Sequence, residues 1–231
     1  MDIKKIFAAA LTCAMLVTSS ACFVSCEGDS EDAETESATQ NETDAAETQI
    51  SYADVDIAQY VKKVTYKGLK VMLEDEDASK EQVLWDRIYA TVEISSYPED
   101  KVKYYFNQTK KAYMHIVGDD EEDYWLLLKN RGTDEEKMMQ DAREMVKQDL
   151  VYRYILAAES VALTDEEKTV LFDKYVDKYV IEFNKSREYI VENMADYIYE
   201  SMLYDKTMEF LMVNNEFEVA DISETLEGLE S

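Results

Sequence analysis

Cysteine, histidine, proline, glycine and basic side chains are all scarce in this chain, and each shortage removes a class of chemistry. The 231 residues include three cysteines, one histidine, one proline and five glycines. Cys13, Cys22 and Cys26 all precede residue 27. The remainder therefore offers no disulfide, no thiolate zinc site and no cysteine nucleophile. His115 lies between Met114 and Ile116 with no motif around it. A triad would have to use that one imidazole, and a plain surface or core histidine is the simpler reading. No glycine-rich phosphate loop is present. Lys and Arg number 24 against 51 Asp and Glu, a net charge of −27. Such a chain lacks the basic footprint that nucleic acid and anionic headgroups need. In so acidic a sequence carboxylate pairs occur everywhere and identify no active site. The acid run Asp119 to Asp123 lacks the alternating ligands and central glycine of a calcium loop. Neither a catalytic residue, a metal nor a cofactor is expected.

The N-terminus carries a targeting pattern. Lys4 and Lys5 precede an apolar run, Ile6 to Val17, that is too short to span a bilayer. Small residues Thr18-Ser19-Ser20-Ala21 lead to Cys22. This order reads as a secretory signal over 1–21. A cysteine after small residues is similar to a bacterial lipobox, so Cys22 is the expected acylated N-terminus, with Cys26 as the alternative. Acylation makes the protein anchored to the outer face of a bacterial cell membrane rather than spanning it. An ordinary cleaved signal is the competing interpretation. Residues 22–51 are rich in acids, and from Glu27 to Gln49 there is no base and no apolar side chain larger than alanine. Chain entropy and like-charge repulsion outweigh what such a stretch could bury, so it reads as an extended tether.

Order is expected from Tyr52. Residues 52–79 form a lead-in, with one or two short strands over Val64 to Val71, where the residues are β-branched and aromatic. Helices follow over 80–219. Ser79-x-x-Gln82 is a capping box. Ser96-x-x-Glu99 is a second, with Pro98 in the first turn, where a missing N–H costs nothing. Pro98 also forces Tyr97 out of helical angles and so separates two helices. Gly118 ends one helix and Asp119 to Asp123 open the next. After Gly132, Thr133-x-x-Glu136 caps a long helix with an apolar stripe through Met138, Ala142, Val146, Leu150, Tyr154, Ala158 and Val161. Thr164-x-x-Glu167 caps a helix reaching about Phe183, and a last helix runs from about Ser186 to Asn215. Residues 220–231 are an acidic tail. The expected fold is all-α: about six helices behind a short N-terminal β element.

Four stretches, in order, resemble the C-terminal chaperone domain of trigger factor. They are "YVKKVTYKGLKV", "VLWDRIYATVEISSYPEDKVKYYFNQTKKAY", "DYWLLLKNRGTDEEKMMQDAREMVKQDLVYRYILAAESVALTDEE" and "MLYDKTMEFLMVNNE". Together they cover roughly Asp54 to Glu218. The family also carries a basic ribosome-docking domain, whose place here is taken by the signal and tether. It further inserts a prolyl isomerase domain, where this chain has only Met72 to Ala78. SurA- and PrsA-type export chaperones share related helical arms.

The resemblance implies a multi-helix chaperone-arm domain; joined to the signal and lipobox-like pattern, it gives the expectation of an exported, lipid-anchored holdase for unfolded or nascent secreted polypeptides. It would have no isomerase activity and no ribosome or nucleic-acid partner. Composition fits, because 17 tyrosines and 11 methionines supply broad and adaptable apolar surface. Candidates for a client-binding cleft are Tyr104, Tyr105, Tyr113, Met114, Trp125, Met138, Met139, Tyr197, Met202 and Tyr204. Each has a competing assignment as core, since such residues at helical spacing are usually packed. A second function remains open: a non-catalytic adaptor or structural lipoprotein that binds one specific protein partner.

Overall fold

The computed structural model describes residues 50–220. The expected signal, the expected tether up to residue 49, both candidate acylation cysteines and the expected tail from 221 lie outside the described residues. Among the described residues there are six α-helices: α1 Lys80–Tyr89, α2 Glu99–Ile116, α3 Glu121–Asn130, α4 Glu135–Glu159, α5 Asp165–Phe183 and α6 Arg187–Val213. Four short strands accompany them: β1 Val61–Lys63, β2 Lys70–Leu73, β3 Glu93–Ile94 and β4 Glu216–Val219. The all-α expectation and the helix count hold.

Side-chain caps set most helix starts, because the first backbone N–H groups of a helix have no partner inside it. Ser79 Oγ accepts from Gln82 N at 3.3 Å, opening α1. Asp120 Oδ1 accepts from Asp123 N at 2.9 Å, opening α3. Thr164 and Glu167 form the full reciprocal box at α5, at 3.2 and 2.7 Å. Two expected caps are corrected. At α4 the cap is Asp134, not Thr133, and its carboxylate accepts from Lys137 N at 2.8 Å. A carboxylate there also meets the positive end of the helix dipole. At α2 the Ser96–Glu99 box does not form. Pro98 itself is the N-cap, with φ −66° and ψ 108° and no side-chain cap. Its carbonyl accepts from Lys101 N and Val102 N, both at 3.1 Å.

The lead-in holds two short strands, β1 and β2, as expected, but their place is corrected. Val64 to Leu69 is not a strand, because Gly68 turns the chain with φ +69°, a conformation open mainly to glycine. The strands fall on either side of it. β1 pairs antiparallel with β3, and β2 pairs parallel with β4 along Lys70↔Glu216 to Leu73↔Val219. β4 follows the last helix and closes the chain back onto the lead-in. Asn215 locks that closure from a buried position. Its Oδ1 accepts from Leu69 N at 2.8 Å. Its Nδ2 donates to Tyr66 O at 3.0 Å and to Leu211 O at 2.8 Å.

The buried side chains form four clusters strung along two long helices. α4, 25 residues long, contributes Met138 to one cluster and Ala142, Val146 and Leu150 to a second with α2. Its C-terminal half then turns a different face inward. Val151, Tyr152 and Ile155 join β2, α1 and the end of α6. The expected single stripe therefore holds through Leu150 and then breaks. Ala158 is exposed and Tyr154 only half-buried. α6, with 27 residues and so about 40 Å long at ~1.5 Å per residue, is shared in the same way. Ile190, Met194, Ile198 and Met202 pack with Val176 and Tyr179 of α5 as a helical hairpin. Tyr204, Met208 and Leu211 belong to the body.

Candidate functional site

The ten candidate side chains divide by burial. Tyr105, Met138, Met202 and Tyr204 are core residues, and a client could touch them only if the fold opened. Tyr204 is fixed further, since it accepts from Trp85 Nε1 at 2.9 Å and donates to Glu81 Oε1 at 2.8 Å. Tyr104, Tyr113, Met114, Met139 and Tyr197 are half-buried at cluster margins. Tyr104 lies edge-on to Tyr105, Tyr113 lies under the Arg131 guanidinium at 5.2 Å, and Tyr197 packs on Tyr179 at 5.2 Å. Only Trp125, 47% exposed, presents a large apolar surface outright.

The structure adds exposed apolar side chains that the sequence analysis did not select. Leu126 and Ile116, 53% and 60% exposed, accompany Trp125 around α3 and the end of α2. Val170, Ile181, Val191 and Tyr199 lie on the α5–α6 hairpin, with Ile181 83% exposed near its tip. A sequence signal existed for the first group. Trp125 to Leu128 are four consecutive apolar residues on one helix, about 100° apart. No single buried face can accept all four, and only Leu128 among them is buried. Acids Glu121, Glu122 and Asp123 occupy the first turn beside them.

A second feature, a buried carboxylate, lies inside the α2–α4 packing. Asp149 is buried on α4, beside Leu150. Its Oδ2 accepts from Tyr105 Oη of α2 at 2.6 Å and from Tyr52 Oη of the lead-in at 2.8 Å. Burial pushes its carboxyl up to about 6, although the two tyrosine hydroxyls and Arg153 pull it down; Glu200 adds to the rise. Tyr52 is held on a further side by Lys101, whose Nζ lies 5.8 Å from the ring centroid. Around it, Ile50, Val55, Ile57 and Tyr60 pack on the α2–α4 cluster. The lead-in is thus an apolar strap across α2 and α4, with one tyrosine inserted to a buried carboxylate. The position of Asp149, three residues beyond Val146 on the inward stripe, was the available signal.

Among the described residues no group of His, Cys, Asp and Glu is arranged to hold a metal ion. No helix of the described residues is long and apolar enough to cross a membrane. The arrangement presents half-covered apolar surface on helical hairpins, acids around it, and a strap filling a groove.

No protein-family model matches the chain, and no solved structure does. Among curated proteins it is similar to the trigger factors of Caldicellulosiruptor saccharolyticus and Caldicellulosiruptor bescii, each 24% identical over 124 residues. The match covers 53% of this chain and 26% of each relative, so it spans about a quarter of the length of the curated relatives. The chain is related, distantly and over about half its length, to trigger factor.

Proposed function

We propose that this protein is a chaperone of the holdase kind that binds unfolded polypeptides through apolar side chains on its helical arms. The observation that carries the reading is the set of large apolar residues left exposed on α3 and the α5–α6 hairpin, above all Trp125, in a trigger-factor-like chain. A helix normally turns such residues inward. Exposed apolar groups rimmed by polar ones mark interaction sites. Neighbouring methionines, half-buried at Met114 and Met139, can repack around varied partners. The surrounding acids keep such a surface soluble.

The Lys4–Cys22 pattern supports export and a lipid anchor, with the acidic stretch to residue 49 as spacer. Clients would then be secreted polypeptides outside the cytoplasm. Mass spectrometry of the membrane-extracted protein should show an acylated N-terminal Cys22, or failing that Cys26. An unacylated chain starting elsewhere contradicts the anchor. Only seven residues, Met72 to Ala78, separate Val71 from Ser79, which supports a non-catalytic role. The test of the main reading is aggregation suppression. The full chain should slow aggregation of an unfolded test protein, and Trp125→Ser with Leu126→Ser should weaken that effect. An adaptor that binds one folded partner would show no suppression with any unfolded protein.

A further inference from the structure

We infer that the groove between α2 and α4 is a seat for extended, tyrosine-bearing polypeptide segments, and that the chain's own strap, Ile50 to Tyr60, occupies it as an internal mimic. The inference rests on the client-binding reading for the identity of the outside occupant and on the strap for its geometry. Val102 and Tyr105 of α2, with Ala142, Val146 and Leu150 of α4, supply an apolar floor that the strap's Tyr52 helps to bury. The strap is the kind of ligand a holdase needs to accept. It is irregular but for the short 3-10 turn Ile57–Gln59, and its only described strand begins at Val61. Before the 3-10 turn its backbone makes a local turn, Val55 N to Tyr52 O at 3.1 Å, and the contacts of that part with α2 and α4 are made by side chains.

The Tyr52 seat has three specific walls. The Asp149 carboxylate accepts the hydroxyl at 2.8 Å. Tyr105 shares the same oxygen at 2.6 Å and fixes the carboxylate in place. Lys101 lies over the ring face, with its side chain only 13% exposed. A phenol meets a hydrogen-bond acceptor, a cation and an apolar floor together, a combination that suits tyrosine and suits phenylalanine less well.

The strap is also anchored where release would need a hinge. Ser95 N donates to Tyr60 O at 2.8 Å, and Ser95 Oγ donates to Gln59 O at 2.6 Å. Residues before that point are held by Tyr52 and the apolar contacts alone. A tethered segment competes with free ligand at a high effective concentration. The seat therefore stays closed until a client segment displaces the strap.

The test uses the full chain and a fluorescent peptide copying residues 50–60. Peptide affinity is measured for the wild type, Tyr52→Phe and Tyr52→Ala, with far-UV circular dichroism showing that each is folded. The wild type should bind weakly. Affinity should rise through Tyr52→Phe and reach about tenfold or more above wild type for Tyr52→Ala, as the internal competitor is weakened. A peptide with alanine at the position that copies Tyr52 should bind none of them. If Tyr52→Ala does not fold, hydrogen exchange on the wild type gives the answer. Excess peptide should speed exchange across residues 50–60 while α2 and α4 keep their protection. Equal affinity for all folded variants, or unchanged exchange in the strap, overturns the inference. So does an unfolded client that binds but is not displaced by the peptide, an outcome that leaves the client-binding reading standing. Peptide binding as expected, with no unfolded protein bound at all, instead removes the client-binding reading and keeps the seat.

Discussion

Tyrosine hydroxyls stand in for the missing bases. With 24 Lys and Arg against 51 acids, carboxylates drawn into the fold need other donors. Tyr66 donates to Glu159 at 2.6 Å, Tyr175 to Asp205 at 2.6 Å and Tyr204 to Glu81 at 2.8 Å. Asp149 receives two such bonds, and burial also pushes both donor phenols up, so they stay protonated at any physiological pH. A hydrogen bond to a charged group contributes about 1.5–3 kcal/mol, and a phenol needs no cation to be desolvated. The groups facing Asp149 are Tyr52 from the strap, Tyr105 from α2, Arg153 from its own helix, Glu200 from α6 and, through the field, Tyr89 of α1. Because its folded-state carboxyl titrates near 6, above the usual carboxylate range, the folded protein holds a proton that the unfolded chain releases first. Its contribution to stability is therefore full below about pH 4 and is lost as pH rises toward 6. Asp149→Asn should remove that loss. Its stability relative to wild type should grow between pH 4 and 7 by about 1–3 kcal/mol, read from urea denaturation at several pH values. A difference that is flat with pH contradicts the assignment. Asn215→Ala should cost about 1–3 kcal/mol, because it leaves the buried Leu69 N–H without its acceptor. Denaturant midpoints measure this, and a loss under half a kilocalorie would mean that the clip is redundant.

At the scale of elements, α4 and α6 each serve two packing groups, which should make the molecule unfold in parts. The α5–α6 hairpin has its own cluster, and few polar ties hold it to the rest. Lys206 donates to Ala162 O at 2.9 Å, and Arg153 pairs with Glu200 at 3.2 Å. Ile198→Ala should cost about 2–4 kcal/mol locally. Hydrogen exchange should then quicken in α5 and the first half of α6 while α2 and α4 remain protected. Uniform loss of protection would show one cooperative unit instead. Helices were legible because their period and caps are local properties: Ser79, Asp120, Thr164 and Ser186 all act where the sequence placed a start. The cap at α4 was displaced by one residue because threonine and aspartate stand side by side and either can cap. The strands were less legible. β2 pairs with β4 across more than 140 residues, and no local pattern encodes such a partner. The candidate site was half legible. Aromatic and methionine residues mark apolar helix faces in sequence, yet Met138 and Met202 are core while Trp125 is exposed. That difference depends on which helix lies opposite, which the sequence of one helix does not state.

For the whole molecule, the charge of −27 and the exposed apolar side chains oppose each other usefully. Charge limits self-association, and the apolar groups remain available for partners. If clients are held by those groups, affinity comes from apolar area removed from water, about 25 cal/mol per Å², less the cost of ordering the client. Binding by the acidic surface would instead depend on Coulomb attraction, which salt screens within roughly 10 Å at moderate ionic strength. The two accounts separate in one calorimetric titration of the full chain with a reduced, unfolded test protein at low and at high salt. Hydrophobic holding predicts binding that persists at high salt with a negative heat-capacity change. Binding seen only at low salt, or none at either, contradicts it.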